Sequence, residues 1–193
     1  TYGQTECSPR VTALLPKFSV SKLGSVGTPI PGVQIRVVSE NGKDCSNNEK
    51  GEILVYGKNV MKGYYKQDIL TNKTIQDGWI HTGDIGYLDS DGFLYLTGRI
   101  KNMIISGGIN IYPEEVEEVI LQNDCVQDVC VFGEDDDYLS EVPVAKIVLK
   151  HPIEPDDLRK YCYQRMAGYK VPVRFYFVDC IPKTYNGKNK RST

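Results

Sequence analysis

Six residues, Thr1 to Glu6 (TYGQTE), bring together an aromatic ring, a glycine, two threonine hydroxyls and a carboxylate. Tyr2 offers a flat face for a base, and Gly3 lets a ligand come close to backbone. Thr5 offers a hydroxyl donor, and Glu6 a hard oxygen ligand of the kind Mg2+ prefers. The same residues would also make a plain turn after a strand. In WIHTGDIG, Asp84 follows Gly83 between two short apolar runs. A carboxylate there can accept two hydrogen bonds from a vicinal diol, as on a ribose, or can cap its own turn. In GRIKNMIISGGINIYPEE, Arg99 and Lys101 precede Gly107-Gly108, where a ligand can pass close to backbone. An exposed linker between domains would have the same composition. In PKTYNGKNKR, Lys188 follows Gly187 in a turn and is either a cation for an anionic substrate or part of a solvated basic tail.

Other stretches only imitate such sites. Asp89-Ser90-Asp91-Gly92 has the start of a calcium loop without its later spacing and closing glutamate, and Gly187-Lys188 lacks the remainder of a P-loop. The acidic run Glu134 to Asp137 is expected to be a solvated loop. A net charge of -2 gives no electrostatic case for nucleic acid or an anionic membrane as partner. The first twenty residues lack a signal-peptide pattern, and no apolar run approaches the ~20 residues of a membrane span. Six cysteines without a CxxC pair, and only His81 and His151 as histidines, point to reduced core thiols in a cytoplasmic protein.

The elements that must carry these residues change character along the chain. Val33 to Val37 alternates with period two, Gly51 to Gly57 is a short apolar run between glycines, and Tyr87 to Leu96 reads as a hairpin around a Gly-containing turn. Short strands with frequent turns predict a barrel or small sandwich. After Arg99 the pattern becomes mixed. Met103 to Ile105 is a short strand before the turn Ser106-Gly107-Gly108. A helix starts at Tyr112-Pro113-Glu114-Glu115, with Val116, Val119 and Ile120 as its apolar stripe. Strands are expected over Val126 to Phe132, Val142 to Leu149 and Arg174 to Val178, with a helix from Pro155 to Ala167 stopped by Gly168.

Taken in order, TYGQTE, GEILVYGKNVMKGYY, GWIHTGD, GRIKNMIISGGINIYPEEVE, YKVP and PKTYNGK resemble the motif series of the adenylate-forming enzymes over nearly the whole chain. The fourth is similar in wording to the AMP-forming acyl-CoA synthetase branch. The resemblance implies an α+β protein in two parts. Residues 1–99 would be a small β-barrel-like remnant of a large N-terminal domain, and residues 100–193 a compact, mobile α+β lid. It also implies the C-terminal portion of a longer enzyme, whose Ser/Thr/Gly-rich phosphate loop and most of whose acyl pocket lie in a missing N-terminal portion. The implied activity joins a small-molecule carboxylic acid to AMP and then to CoA, with ATP, Mg2+ and CoA required, and fatty acid metabolism as its setting.

Position by position, the resemblance places Tyr2 against adenine with Gly3 beside it, Thr5 on phosphate and Glu6 on Mg2+. Asp84 would accept from both ribose hydroxyls with Arg99 assisting. Lys188 would reach the α-phosphate and the acyl carboxylate, Lys101 would be the hinge, and Gly107 and Gly108 would pass the pantetheine arm of CoA. The chain departs from the family pattern at Asn102, Ser140 and Asn189. The same motifs would serve a ligase that loads an acyl or aminoacyl group onto a carrier protein. A noncatalytic interaction module is the alternative from another class. The motifs name no acyl substrate and no oligomeric state.

Overall fold

The computed structural model describes residues 1–185, 187 and 189–191. The chain divides into two compact units, Thr1–Ile100 and Lys101–Thr193.

The first unit holds a two-stranded ribbon, β1 (Thr12–Ala13) and β2 (Thr28–Pro29), and a five-stranded antiparallel sheet. The sheet is formed by β3 (Val33–Val38), β4 (Gly51–Gly57), β5 (Ile75–Gln76), β6 (Trp79–Leu88) and β7 (Leu94–Arg99), with helix α1 (Asp68–Thr74) leading into β5. The order is β3-β4-β6-β5, and β7 also pairs with β6. At ten residues, β6 is long enough to take β4 along one edge and β5 and then β7 along the other. Among the described residues the sheet is open, which corrects the expected barrel. Closure needs a ring of tilted, staggered strands, and here β3 does not pair with β5 or β7. Short strands with frequent turns are common to open and closed sheets, so the pattern alone does not separate them.

Tyr2, Cys7, Val11, Val37, Ile53, Val55, Ile80 and Leu94 form the core of this unit. Trp79, at the head of β6, packs against Tyr56 with ring centroids 5.4 Å apart, and the Arg36 guanidinium lies 5.3 Å from its ring centre. The turn after β6 closes on Asp89, whose Oδ1 accepts from the Asp91 and Phe93 amides at 2.9 Å each. Lys22 Nζ lies 2.7 Å from Asp89 and 2.6 Å from Asp91. The carboxylates of the calcium-like stretch are thus committed to a turn and a lysine.

The second unit is a sheet with two helices: β8 (Ile104–Ser106), β9 (Ile109–Ile111), α2 (Pro113–Leu121), β10 (Val126–Asp136), β11 (Ser140–Leu149), α3 (Pro155–Tyr163) and β12 (Arg174–Phe177). The order is β10-β11-β8-β9, with β12 parallel to β11. Val116 and Ile120 of α2 and Leu158 and Cys162 of α3 stand four residues apart, as a buried helical face requires, and join Ile104, Ile111, Val129, Val131 and Ile147 in the core. The mixed α+β class is as expected. Two local expectations are corrected. The acidic run is no loop: Glu134 to Asp136 end β10 and pair with β11, and Glu134 meets Arg174 at 2.5 Å. Helix α3 ends at Tyr163, not Ala167: the Arg165 amide tightens onto the Cys162 carbonyl at 3.0 Å, three residues back, and Ala167 is already extended at φ -61, ψ 142. Among the described residues, no helix is long and apolar enough to cross a membrane.

Candidate functional site

Asp84 sits in an arch of β6. Glu52 of β4 pairs with Ile85 and Leu54 pairs with His81, so Ile53 alone faces Thr82, Gly83 and Asp84. Two extra residues must therefore bow out of the ladder, a bulge of the kind that re-aims a side chain. Gly83 takes φ +67 at its crest, where an added Cβ would meet nothing within 4 Å. Glycine is there for backbone conformation, since other residues adopt that region at a cost. The Thr82 hydroxyl donates to the Ile53 carbonyl at 2.6 Å and accepts from the Asp84 amide at 3.1 Å.

The Asp84 side chain is 8% exposed and its carboxylate is doubly held. Oδ1 accepts from Arg99 Nε at 2.6 Å, across the ladder that pairs Asp84 with Arg99. Oδ2 accepts from the Tyr2 hydroxyl at 2.7 Å. Each oxygen has a further lone pair, so the carboxylate can still accept from a neighbouring diol. Of the two sequence alternatives for Asp84, capping of its own turn is not the arrangement seen.

Tyr2 has another task than the one expected. The residue is 7% exposed and packs in the core, so it offers no open face to a base. Burial, then the charge of Asp84, pushes its phenol well above the ordinary value, and the phenol stays protonated as donor. Gly3 also differs from expectation: a Cβ there would lie 2.4 Å from the Pro9 carbonyl oxygen, so its missing side chain serves the chain's own packing.

Thr5 and Glu6 belong to a 3-10 turn, Thr5–Cys7, with Thr5 exposed. The later stretch GKNVMKGYY clamps this turn. The Asn59 side-chain amide donates to the Cys7 carbonyl at 2.8 Å, and the Met61 amide donates to the Glu6 carbonyl at 2.8 Å. The Tyr64 hydroxyl donates to Glu6 Oε1 at 2.8 Å. Burial and Glu6 raise the Tyr64 phenol, which keeps it a donor. Sequence reasoning missed Tyr64 because it stands 58 residues from its partner. Among the described residues, no group of three His, Cys, Asp or Glu side chains could enclose a metal. Glu6 fits instead the manner of Mg2+, which binds through one or two carboxylates together with phosphate oxygens and waters.

In the second unit, Lys101 is exposed in the turn Ile100–Asn102. Gly107 (φ +55) and Gly108 (φ +79) make the exposed turn between β8 and β9. The Gly107 amide donates to the Leu139 carbonyl at 2.9 Å, while nothing lies within 4 Å of a Cβ built on Gly108. Lys188 lies outside the described residues. Its neighbours are anchored: the Asn189 side-chain amide donates to the Val129 carbonyl at 2.8 Å, and Arg191 grips both oxygens of Glu117 at 2.5 and 2.8 Å. All six cysteines are free. Burial raises the Cys7 and Cys130 thiols and pushes Cys162 up to about 11, which leaves them without nucleophilic character.

Comparison with known proteins agrees along the chain. Residues 1–65 match the model of the AMP-binding enzyme family, and residues 115–188 that of the AMP-binding enzyme C-terminal domain. The 2-succinylbenzoate–CoA ligase of Bacillus licheniformis is 44% identical over 191 residues, 99% of this chain and 40% of the relative. That of Bacillus subtilis is 42% identical over 192 residues, 100% of this chain and 39% of the relative. The chain thus spans about two fifths of the length of the curated relatives it matches. The structure of o-succinylbenzoate CoA synthetase from Bacillus subtilis with its acyl-adenylate intermediate superposes with a TM-score of 0.94 at 42% identity, covering 98% of this chain and 39% of that one. The amide bond synthetase of Marinactinospora thermotolerans gives 0.82 at 31% identity, covering 89% and 36%. The acid named in these ligases is aromatic, which gives no support to the expected setting in fatty acid metabolism.

Proposed function

Because the chain belongs to the AMP-binding enzyme family, matching both its main and its C-terminal domain models, we propose that it forms the C-terminal part of an AMP-forming acid–thiol ligase. The acid is 2-succinylbenzoate or an aromatic acid like it, in keeping with relatives of 42–44% identity. In the first step a carboxylate oxygen attacks the α-phosphorus of ATP and pyrophosphate leaves. In the second, the thiol of CoA attacks the acyl carbonyl and AMP leaves. The observation that carries this reading is the Asp84 carboxylate, nearly buried and fixed by Tyr2 and Arg99. A carboxylate held so rigidly can take the two ribose hydroxyls without reorganising, which is where positional catalysis begins.

Around it the residues take complementary parts. Thr5, exposed on its turn, donates to a phosphate oxygen. Glu6, steadied by Tyr64, would hold Mg2+, which when bound neutralises charge on the phosphates. Lys188 supplies a cation to the α-phosphate and the acid, two anions that otherwise repel. Lys101 is the hinge about which the second unit changes its presented face. Gly107 and Gly108, free of side chains, line the way for the pantetheine arm.

The test offers the full-length ligase ATP, one of three acids and one of three acceptors. Pyrophosphate release is expected with 2-succinylbenzoate, less with benzoate and least with a medium-chain fatty acid, and thioester with CoA. Amide formation in preference to thioester would favour the second reading, suggested by the similarity to an amide bond synthetase. Thioester only on a carrier protein would make the enzyme a loading ligase. The 193 residues alone should release no pyrophosphate, since they contain no Ser/Thr/Gly-rich phosphate loop.

A further inference from the structure

We propose that Glu52 is the positioning residue of the Asp84 arch, and through it a determinant of nucleotide affinity; this rests on the reading of Asp84 as the ribose acceptor. One carboxylate pins both the shoulder and the crest of the arch. Glu52 Oε2 pairs with His81 Nδ1 at 2.9 Å, and Oε1 accepts from the Gly83 amide at 3.1 Å. The Glu52 backbone meanwhile pairs with Ile85, on the far side of the arch. A single residue therefore engages positions 81, 83 and 85 while Asp84 projects between the last two.

The arch needs such a partner. On the β4 edge residues 82 to 84 have only Ile53 opposite them, so that ladder cannot satisfy all their polar groups. A backbone amide left without a partner draws the segment toward solvent or a new conformation. Gly83, the most permissive residue in the arch, would yield first. The Glu52 and His81 side chains are 19% and 31% exposed, so the pair is only partly wet and its geometry persists. Tyr2 and Arg99 fix the tip of Asp84, whereas Glu52 fixes the backbone from which it springs. Glu52 reaches only the arch itself, whereas Asp84 is the group that meets the ribose, which is what makes Glu52 a positioning residue.

Three substitutions at Glu52 in the full-length ligase test this, with Asp84→Asn as reference and KM for ATP and kcat as readouts. Glu52→Ala removes both contacts and is expected to raise KM for ATP roughly tenfold, the equivalent of one lost hydrogen bond to a charged group, with kcat nearly unchanged. Glu52→Asp keeps the charge but falls a methylene short of Gly83 and should behave like the alanine variant. Glu52→Gln keeps the reach and an acceptor and should restore KM to within about threefold of wild type, its neutral amide being the weaker acceptor. Restoration by aspartate but not glutamine would make charge the requirement and overturn the proposal. So would a fall in kcat or in melting temperature with KM unmoved, the mark of a purely structural role. If Asp84→Asn raises KM while every Glu52 variant leaves it alone, Asp84 stands and the positioning role is overturned. If Asp84→Asn itself leaves KM unchanged, the ribose reading fails and takes this proposal with it.

Discussion

Asp84, Tyr2 and Arg99 form a three-membered constellation in which each partner limits the others. The phenol is kept protonated by burial and by the carboxylate it serves, and the guanidinium reaches the other oxygen from the facing strand. Removing one donor leaves a nearly buried carboxylate under-satisfied, which costs more than the bond itself. Tyr2→Phe should therefore destabilise the first unit by about 1.5–3 kcal/mol. Urea unfolding at neutral pH measures this, and a change below a few tenths would mean that the hydroxyl is not committed to Asp84. The identity of Asp84 as a candidate was legible from Gly83-Asp84 between apolar runs. The burial of Tyr2 was not, because its partner lies 82 residues away and no local pattern reports such a contact. Gly3 was hidden for another reason: its constraint comes from the Pro9 carbonyl, near in sequence but brought against it only by the fold of the intervening turn.

The turn joining β6 to β7 shows how an element can carry a pH signature. Partial burial works against the charged form of Asp89, but Lys22 and the Phe93 and Asp91 amides outweigh it and hold the carboxyl below its ordinary 3.8. A carboxyl lowered in the folded state stabilises the fold above its unfolded value and loses that contribution as the pH falls through the folded one. The stability difference between wild type and Asp89→Asn should thus be constant at neutral pH and shrink progressively below pH 3.8. Urea titrations across that range measure it; a difference that grows on acidification would contradict the pairing. Elements whose own residues alternate or repeat were readable: β3 from its period of two, α2 from Pro113 and its stripe, the β8 turn from its glycines. Helix α1 was not, since its seven residues bury none of their number and show no apolar face. The strand character of Glu134 to Asp136 was hidden because charge resembles a loop until a partner strand and Arg174 are in place. The bulge of β6 was hidden likewise, as it exists only relative to β4.

Among the described residues there are two hydrophobic clusters, one in each unit, and each includes side chains from several elements. Units with separate cores are expected to unfold as separate cooperative steps. Calorimetry should resolve two transitions, and Glu117→Ala should lower only the one belonging to Lys101–Thr193. Its side chain and that of Arg191 are 12% and 16% exposed, and breaking such a pair typically costs about 3–5 kcal/mol. A single transition that shifts as a whole would refute the division. The chain carries one tryptophan, Trp79, half-buried against Tyr56 in the first unit. Indole emission excited beyond the tyrosine band therefore comes from that unit alone, whereas far-ultraviolet dichroism weighs the backbone of both. The two melts, recorded on one sample, separate by optics what calorimetry would have to deconvolute. The fluorophore also stands five residues before Asp84 on the same strand, so its colour is a native gauge of whether that strand is folded when nucleotide is added.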